Sequence, residues 1–177
     1  MRKIMIEKRK NLDNGSYVNF SQIIVKKLKN ILYKISFSSI ALYYPINKEV
    51  DIIPAIEELL ENSKYVYLPK IIGKKMFMAK VDSLDNLKKS NFNIPEPVTD
   101  DFSSLIDIYV IPAIAYDFQK YRIGYGGGYY DRYFQENKKT FLIGTIFDFQ
   151  LVESFIKHEN DLKVDLVITE KRILNSY

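Results

Sequence analysis

Residues 106 to 111 read Ile-Asp-Ile-Tyr-Val-Ile, a short and nearly continuous apolar run. Pro112 follows, then a glycine-rich stretch at 122–132, a helical segment from about Tyr129 to Asn137, and a second apolar run from Phe141 to Phe147. Short runs this apolar read as strands buried on both faces, and joining them through helices implies a mostly parallel sheet. Working outward, Val164 to Thr169 reads as a further strand, Ile40 to Tyr44 as one ending at Pro45, and Tyr65 to Leu68 as one stopped by Pro69. Between them lie helical patterns. A basic first helix spans about Arg2 to Lys10. Ser16 is placed to cap a longer helix with Phe20, Ile23, Ile24, Leu28, Ile31 and Leu32 on one stripe. Asp51 is placed to cap a third, with Pro54 in its first turn and Ile56, Leu59 and Leu60 inward. Lys75 to Val81 alternates like a half-exposed strand. The segment Phe92-Asn-Ile-Pro-Glu-Pro97 reads as an ordered surface loop, with Phe92 turned into the core. The pattern predicts an α/β fold: one layered domain over residues 1–177, its mostly parallel central sheet flanked by helices on both faces.

Composition narrows the function classes. Apolar residues make up 47% and charged ones 27%, which argues for a packed core and against disorder. With no cysteine, disulfides and thiolate metal sites are excluded. The first ten residues are too charged for a secretory signal, and no apolar run approaches the ~18–20 residues of a membrane span, so a cytoplasmic protein without membrane contact is expected. Net charge is +4. That leans toward anionic ligands but is too mild for nucleic acid, and lysine pairs such as Lys26-Lys27 and Lys138-Lys139 read as solvated surface.

In parallel α/β sheets ligands sit beyond the carboxyl ends of the strands. That puts Tyr44 to Glu49 and Pro112 to Gly128 on one rim. Residues 122–132, Arg-Ile-Gly-Tyr-Gly-Gly-Gly-Tyr-Tyr-Asp-Arg, hold four of the chain's seven glycines. Gly124, Gly126, Gly127 and Gly128 can adopt angles closed to other residues, and their N–H groups can surround an anion at the start of a helix. Arg122 and Arg132 add fixed positive charge, and Asp131 a carboxylate suited to Mg²⁺. The loop matches neither the P-loop nor the dinucleotide fingerprint, since no lysine follows the glycines and position 129 is tyrosine. With His158 the only histidine and no Gly-x-Ser-x-Gly, serine-hydrolase and multi-histidine metal chemistry lose support. Polyphosphate binding is the expectation.

An ordered set of blocks carries a resemblance. It comprises Arg2 with its basic helix, Ile40-Ala-Leu-Tyr-Tyr-Pro through Glu49-Val50, Leu68-Pro69-Lys70 and Asn93-Ile-Pro-Glu-Pro97. It continues through Asp107 to Pro112 and Asp117, the glycine loop, Phe147 with Gln150, and Glu159-Asn-Asp161-Leu-Lys-Val-Asp165. In these the chain resembles the 5-formyltetrahydrofolate cyclo-ligase (methenyltetrahydrofolate synthetase) family over nearly its whole length. The resemblance implies ATP- and Mg²⁺-dependent closure of 5-formyltetrahydrofolate, with or without a polyglutamate tail, to 5,10-methenyltetrahydrofolate. Carried over, it implies an ATP cradle of Arg122, Ile123, Gly124, Tyr125, Gly126, Gly127, Gly128, Tyr129 and Tyr130, with Arg2 as a further phosphate contact and Arg122 and Asp131 catalytic. It implies Asp131 and Asp161 as Mg²⁺ ligands, and Tyr44, Glu49, Tyr125 and Tyr129 as folate contacts. Glu49 would accept hydrogen bonds from the pterin or polarise the reacting amine. ATP serves as co-substrate, Mg²⁺ as cofactor, and a monomer is expected. Two other classes compete: a sugar-phosphate isomerase on a similar scaffold, needing neither ATP nor metal, and a nucleotide- or RNA-binding module with a steep salt dependence.

Overall fold

The chain, a computed structural model describing residues 1–90, 93–138 and 140–175, forms helices and strands in close alternation. Phe92 and Lys139 lie outside the described residues. In chain order the elements are α1 (Arg2–Lys10), α2 (Asn14–Leu32), β1 (Ser39–Ala41), α3 (Ile53–Glu61), β2 (Tyr65–Ile72), β3 (Lys75–Val81), β4 (Leu87–Lys89) and β5 (Pro95–Pro97). Then come β6 (Ile108–Pro112), β7 (Ala115–Asp117), β8 (Arg122–Ile123), α4 (Tyr129–Glu136), β9 (Phe141–Thr145), β10 (Leu151–Val152), β11 (Leu166–Ile168) and β12 (Ile173–Leu174).

The main sheet has the order β12-β11-β9-β6-β1-β2-β3. Its five inner strands are parallel, while β3 and β12 run antiparallel at the edges. This is the expected mostly parallel α/β architecture. From β1 the chain steps to β2 on one side and returns as β6 on the other, so strand order reverses between β1 and β6. The carboxyl ends of that pair border a crevice.

Alternation along each strand divides the core between two faces. Ile40, Ile108, Val110, Ile143, Leu166 and Ile168 pack on one side with Ile24, Val25, Leu28 and Leu32 of α2 and Ala55, Ile56 and Leu59 of α3. Ala41, Tyr109, Ile111, Leu142 and Val167 pack on the other with Tyr130, Tyr133 and Phe134 of α4. The apolar stripe of α2 alone contributes about 6–12 kcal/mol of gross burial before chain entropy is subtracted. At the carboxyl end, Met5 of α1 packs on Ile114, Ala115 and Ile123, beside a small sheet ordered β10-β7-β8.

Three local expectations are corrected. Asp13, not Ser16, caps α2, because its carboxylate accepts the Ser16 N–H (2.9 Å) and starts the helix earlier. Pro69 does not stop β2. Tyr65 donates to Ser38 and Tyr67 accepts from Leu42 on the β1 side, so by the two-residue repeat Pro69 turns its missing N–H to that side, beyond the end of the β1 ladder, while pairing with β3 continues. Residues 95–97 are not a surface loop but strand β5, paired with β4, with Glu96 buried. Lys26 and Lys138 are exposed as expected, while half-buried Lys27 donates to the carbonyls of Thr169 and Glu170.

One tight approach stiffens the sheet below the crevice. Gly144 on β9 lies under the fully buried ring of Tyr116, where a Cβ would come within 2.5 Å of Cζ. Tyr116 cannot withdraw freely, since its hydroxyl donates to the Ile111 carbonyl (3.2 Å). Gly144→Ala is expected to cost about 1–3 kcal/mol through overpacking, a fall in melting temperature of about 3–10 °C. An unchanged melting curve would show that the Tyr116 ring yields at no cost.

Candidate active site

Beyond the carboxyl ends of β1 and β6 lies a cleft of about 520 Å³. Both rim segments expected from the sequence line it, Tyr44 to Glu49 on one side and Pro112 with the glycine turn on the other.

After β1 the chain turns sharply to bring Glu49 inward. Glu49 N–H donates to the Ile46 carbonyl (2.8 Å) around Asn47 and Lys48, which both take positive φ (49° and 54°). A non-glycine pair in that region is strained. It is held from below: Lys48 Nζ donates to the carbonyls of Lys10 (3.1 Å) and Leu12 (2.6 Å), and Arg9 Nε to that of Asn47 (2.9 Å). Glu49 is buried, with Oε2 accepting from Ile46 N–H (3.0 Å) and Oε1 from the Tyr125 hydroxyl (2.9 Å). Burial pushes its carboxyl above the usual range, opposed chiefly by the Arg9 guanidinium. Tyr125 is pushed up to about 12 by burial and the neighbouring carboxylate, so its hydroxyl stays a donor at neutral pH.

The glycine turn uses its freedom at two positions. Gly126 has φ +104° and Gly128, which caps α4, has φ +64°. Arg2 donates through Nε to the Gly124 carbonyl (2.9 Å), so the first helix joins the rim. Arg122 is buried, donates through Nε to the Pro112 carbonyl (2.7 Å) and lies 4.7 Å from the Tyr130 ring centroid. Held at both points, its guanidinium lines the cleft. Tyr130 sits in the core as that support. Ile123 packs with Met5 and borders a neighbouring cleft of about 480 Å³ that shares Arg2, Arg122 and Asp161 with the first. Tyr44, Gly127 and Tyr129 line the main cleft, with Arg132 set 5.1 Å from the Tyr129 ring. His158 is exposed at the edge of the neighbouring cleft.

Asp131, in the first turn of α4, and Asp161, from the loop before β11, line the same cleft. Asp131 Oδ1 accepts from Leu162 N–H (3.1 Å) and Asp161 Oδ2 from His158 N–H (2.8 Å), so each spends one oxygen on backbone and presents another. An ion pair between half-buried Lys157 and buried Asp117, Nζ to Oδ2 3.0 Å, anchors the Asp161 loop. Among the described residues no cluster of three acidic, His or Cys side chains forms a ready cage. Two carboxylates with hard oxygens nevertheless suit Mg²⁺, which takes its other ligands from phosphate and water.

The remaining wall is apolar: Tyr43, Pro69, Ile71, Met76, Ile94 and Pro95 line it, with Glu96 among them. Burial pushes the Glu96 carboxyl up against the pull of Ile71 N–H, Ser90 and Lys70. The sequence reading missed this wall, because β5 had been expected as a loop. It also missed Arg9, although its position four residues after Met5 on the inner stripe of α1 was a usable signal.

The model of the 5-formyltetrahydrofolate cyclo-ligase family matches residues 1–170. A 5-formyltetrahydrofolate cyclo-ligase of Mycoplasma genitalium is 33% identical over 170 residues, 95% of this chain and 94% of the relative. The solved 5,10-methenyltetrahydrofolate synthetase of Aquifex aeolicus superposes with a TM-score of 0.88 at 32% identity, covering 98% of this chain and 90% of that one. The synthetase of Mycoplasma pneumoniae gives 0.81 at 28% identity, covering 96% of each. Among the described residues no helix is long and apolar enough to cross a membrane.

Proposed function

This chain belongs to the 5-formyltetrahydrofolate cyclo-ligase family of enzymes, and we propose that it closes 5-formyltetrahydrofolate to 5,10-methenyltetrahydrofolate using ATP and Mg²⁺. The observation that carries the reading is one cleft with two chemically distinct halves: an apolar wall with Glu49, and a glycine turn with Arg2, Arg122, Asp131 and Asp161. The first half suits a flat heterocycle, the second a polyphosphate.

A formamide oxygen is a poor leaving group. Transfer of the γ-phosphoryl of ATP forms an O–P bond at the formyl oxygen, breaks the β–γ bridge and releases ADP. N10 then attacks the formyl carbon, the C–O bond breaks, phosphate departs, and the N10 proton is lost. No nucleophilic side chain is needed, since phosphoryl transfer is catalysed mainly by alignment and charge stabilisation. In this reading Arg2 and the amides of Gly124 to Gly128 hold the phosphates, and Arg122 balances charge on the group in transit. Glu49 accepts from the folate, and Tyr44, Tyr125 and Tyr129 confine it. When bound by Asp131 and Asp161, Mg²⁺ would neutralise charge on the phosphate oxygens. The proposal takes the protein as a monomer. The proposal extends to action in the cytoplasm on these two small anions, with neither nucleic acid nor membrane as partner.

Purified protein mixed with ATP, Mg²⁺ and 5-formyltetrahydrofolate is expected to produce the near-ultraviolet absorbance of the methenyl product. Omitting ATP or adding EDTA should abolish it. No product from the complete mixture would overturn the assignment.

A further inference from the structure

Arg9 does not line the cleft. It lies on the inner stripe of α1 and is only 1% exposed. A guanidinium removed from water is costly unless its donors are used. Here they reach three separate segments: Nε donates to the Asn47 carbonyl (2.9 Å), Nη1 to the Ala113 carbonyl (3.3 Å), and Nη2 to the Tyr125 hydroxyl. These acceptors belong to the strained turn ahead of Glu49, the chain leaving β6, and the glycine turn. The Tyr125 hydroxyl then donates to Glu49 Oε1 (2.9 Å). Two routes from Arg9 therefore converge on one carboxylate, through the backbone of residues 46–49 and through the Tyr125 hydroxyl. We propose that Arg9 is a positioning residue for the folate half of the cleft, fixing Glu49 through Tyr125 and the turn at Asn47. This rests on the folate reading given above.

The charges around Glu49 support it. The opposing influences on the buried carboxyl are Arg9 first, then the Ile46 N–H, Tyr125 and Arg122 of β8. The other ionisable groups facing it are Tyr17 from α2, Tyr43 after β1 and Tyr130 from α4, each a phenol raised by burial and so neutral. Arg9 and Arg122 therefore supply the positive charge. Removing Arg9 leaves burial less opposed, so Glu49 should hold its proton to higher pH. Lysine at position 9 would carry the charge but not the planar fork that spans three acceptors.

The test is carbon NMR of the full-length protein labelled at glutamate carboxyls, with the Glu49 signal assigned by its loss in Glu49→Gln. In Arg9→Met the Glu49 titration should move up by about one pH unit or more, with Arg9→Lys intermediate and Tyr125→Phe also raised. The acid limb of kcat/KM for the folate should move by the same amount, with activity regained as pH rises. A merely structural Arg9 would lower the melting temperature and leave the titration in place, and a folded Arg9→Met with wild-type titration overturns the proposal. If that variant does not fold, Tyr125→Phe decides, and an unmoved Glu49 signal there overturns it equally. The titration is read on free protein, so absence of wild-type turnover would count against the folate reading and not against this one.

Discussion

Asp131→Asn is expected to keep the fold and lose turnover by about 10²–10³-fold, as removal of a stabilising charge at developing anions does elsewhere. The amide is nearly isosteric with the acid, and its carbonyl oxygen can still accept the Leu162 N–H that Asp131 Oδ1 accepts at 3.1 Å. The tie between α4 and the Asp161 loop therefore survives. What disappears is the negative charge that would hold Mg²⁺ against the phosphates. Measuring kcat across a Mg²⁺ series should show a higher metal requirement as well as a lower ceiling, with a melting temperature close to wild type. Wild-type kcat at low Mg²⁺ would remove Asp131 from the mechanism.

Arg122→Lys should be almost as severe, about 10²–10³-fold in kcat, although charge is conserved. Arg122 satisfies two demands at once: Nε donates to the Pro112 carbonyl (2.7 Å) while the guanidinium lies 4.7 Å from the Tyr130 ring and lines the cleft. A lysine ammonium is a single point. If it bonds Pro112 it no longer presents the fork to the phosphates, and if it reaches outward the Pro112 carbonyl is left buried without its partner, at about 1–3 kcal/mol. The expected signature is a raised KM for ATP with little change in folate affinity, together with a modest loss of thermal stability. Unaltered ATP kinetics would mean that Arg122 serves only to brace the turn.

Much of this site was legible in the chain. Gly126 and Gly128 take the positive φ that their clustering suggested, α4 begins at Tyr129, and the rims after β1 and β6 face each other as parallel topology requires. The first two inferences used local information, a backbone angle that favours glycine and a helical period, and the third followed from the parallel strand order that the apolar runs imply. The misreadings came where local signals compete. Asp13 and Ser16 are both good caps, and only the bond actually made decides between them. Pro69 is a strand breaker until the neighbouring strand ends just short of it.

By itself the sequence determined the four helices and the order of the six main-sheet strands from β1 to β11, the buried faces, and the glycine turn with its flanking charges, because these follow from periodicity and conformational freedom within a few residues. Only the tertiary structure decided that Arg9, Tyr125 and Glu49 form one chain of bonds, that Asp131 meets Leu162, and that Glu96 joins the apolar wall. Those partners lie far apart along the polypeptide. Their meeting depends on sheet order and register, and the cost of burying a charge is settled by whatever the completed fold places beside it.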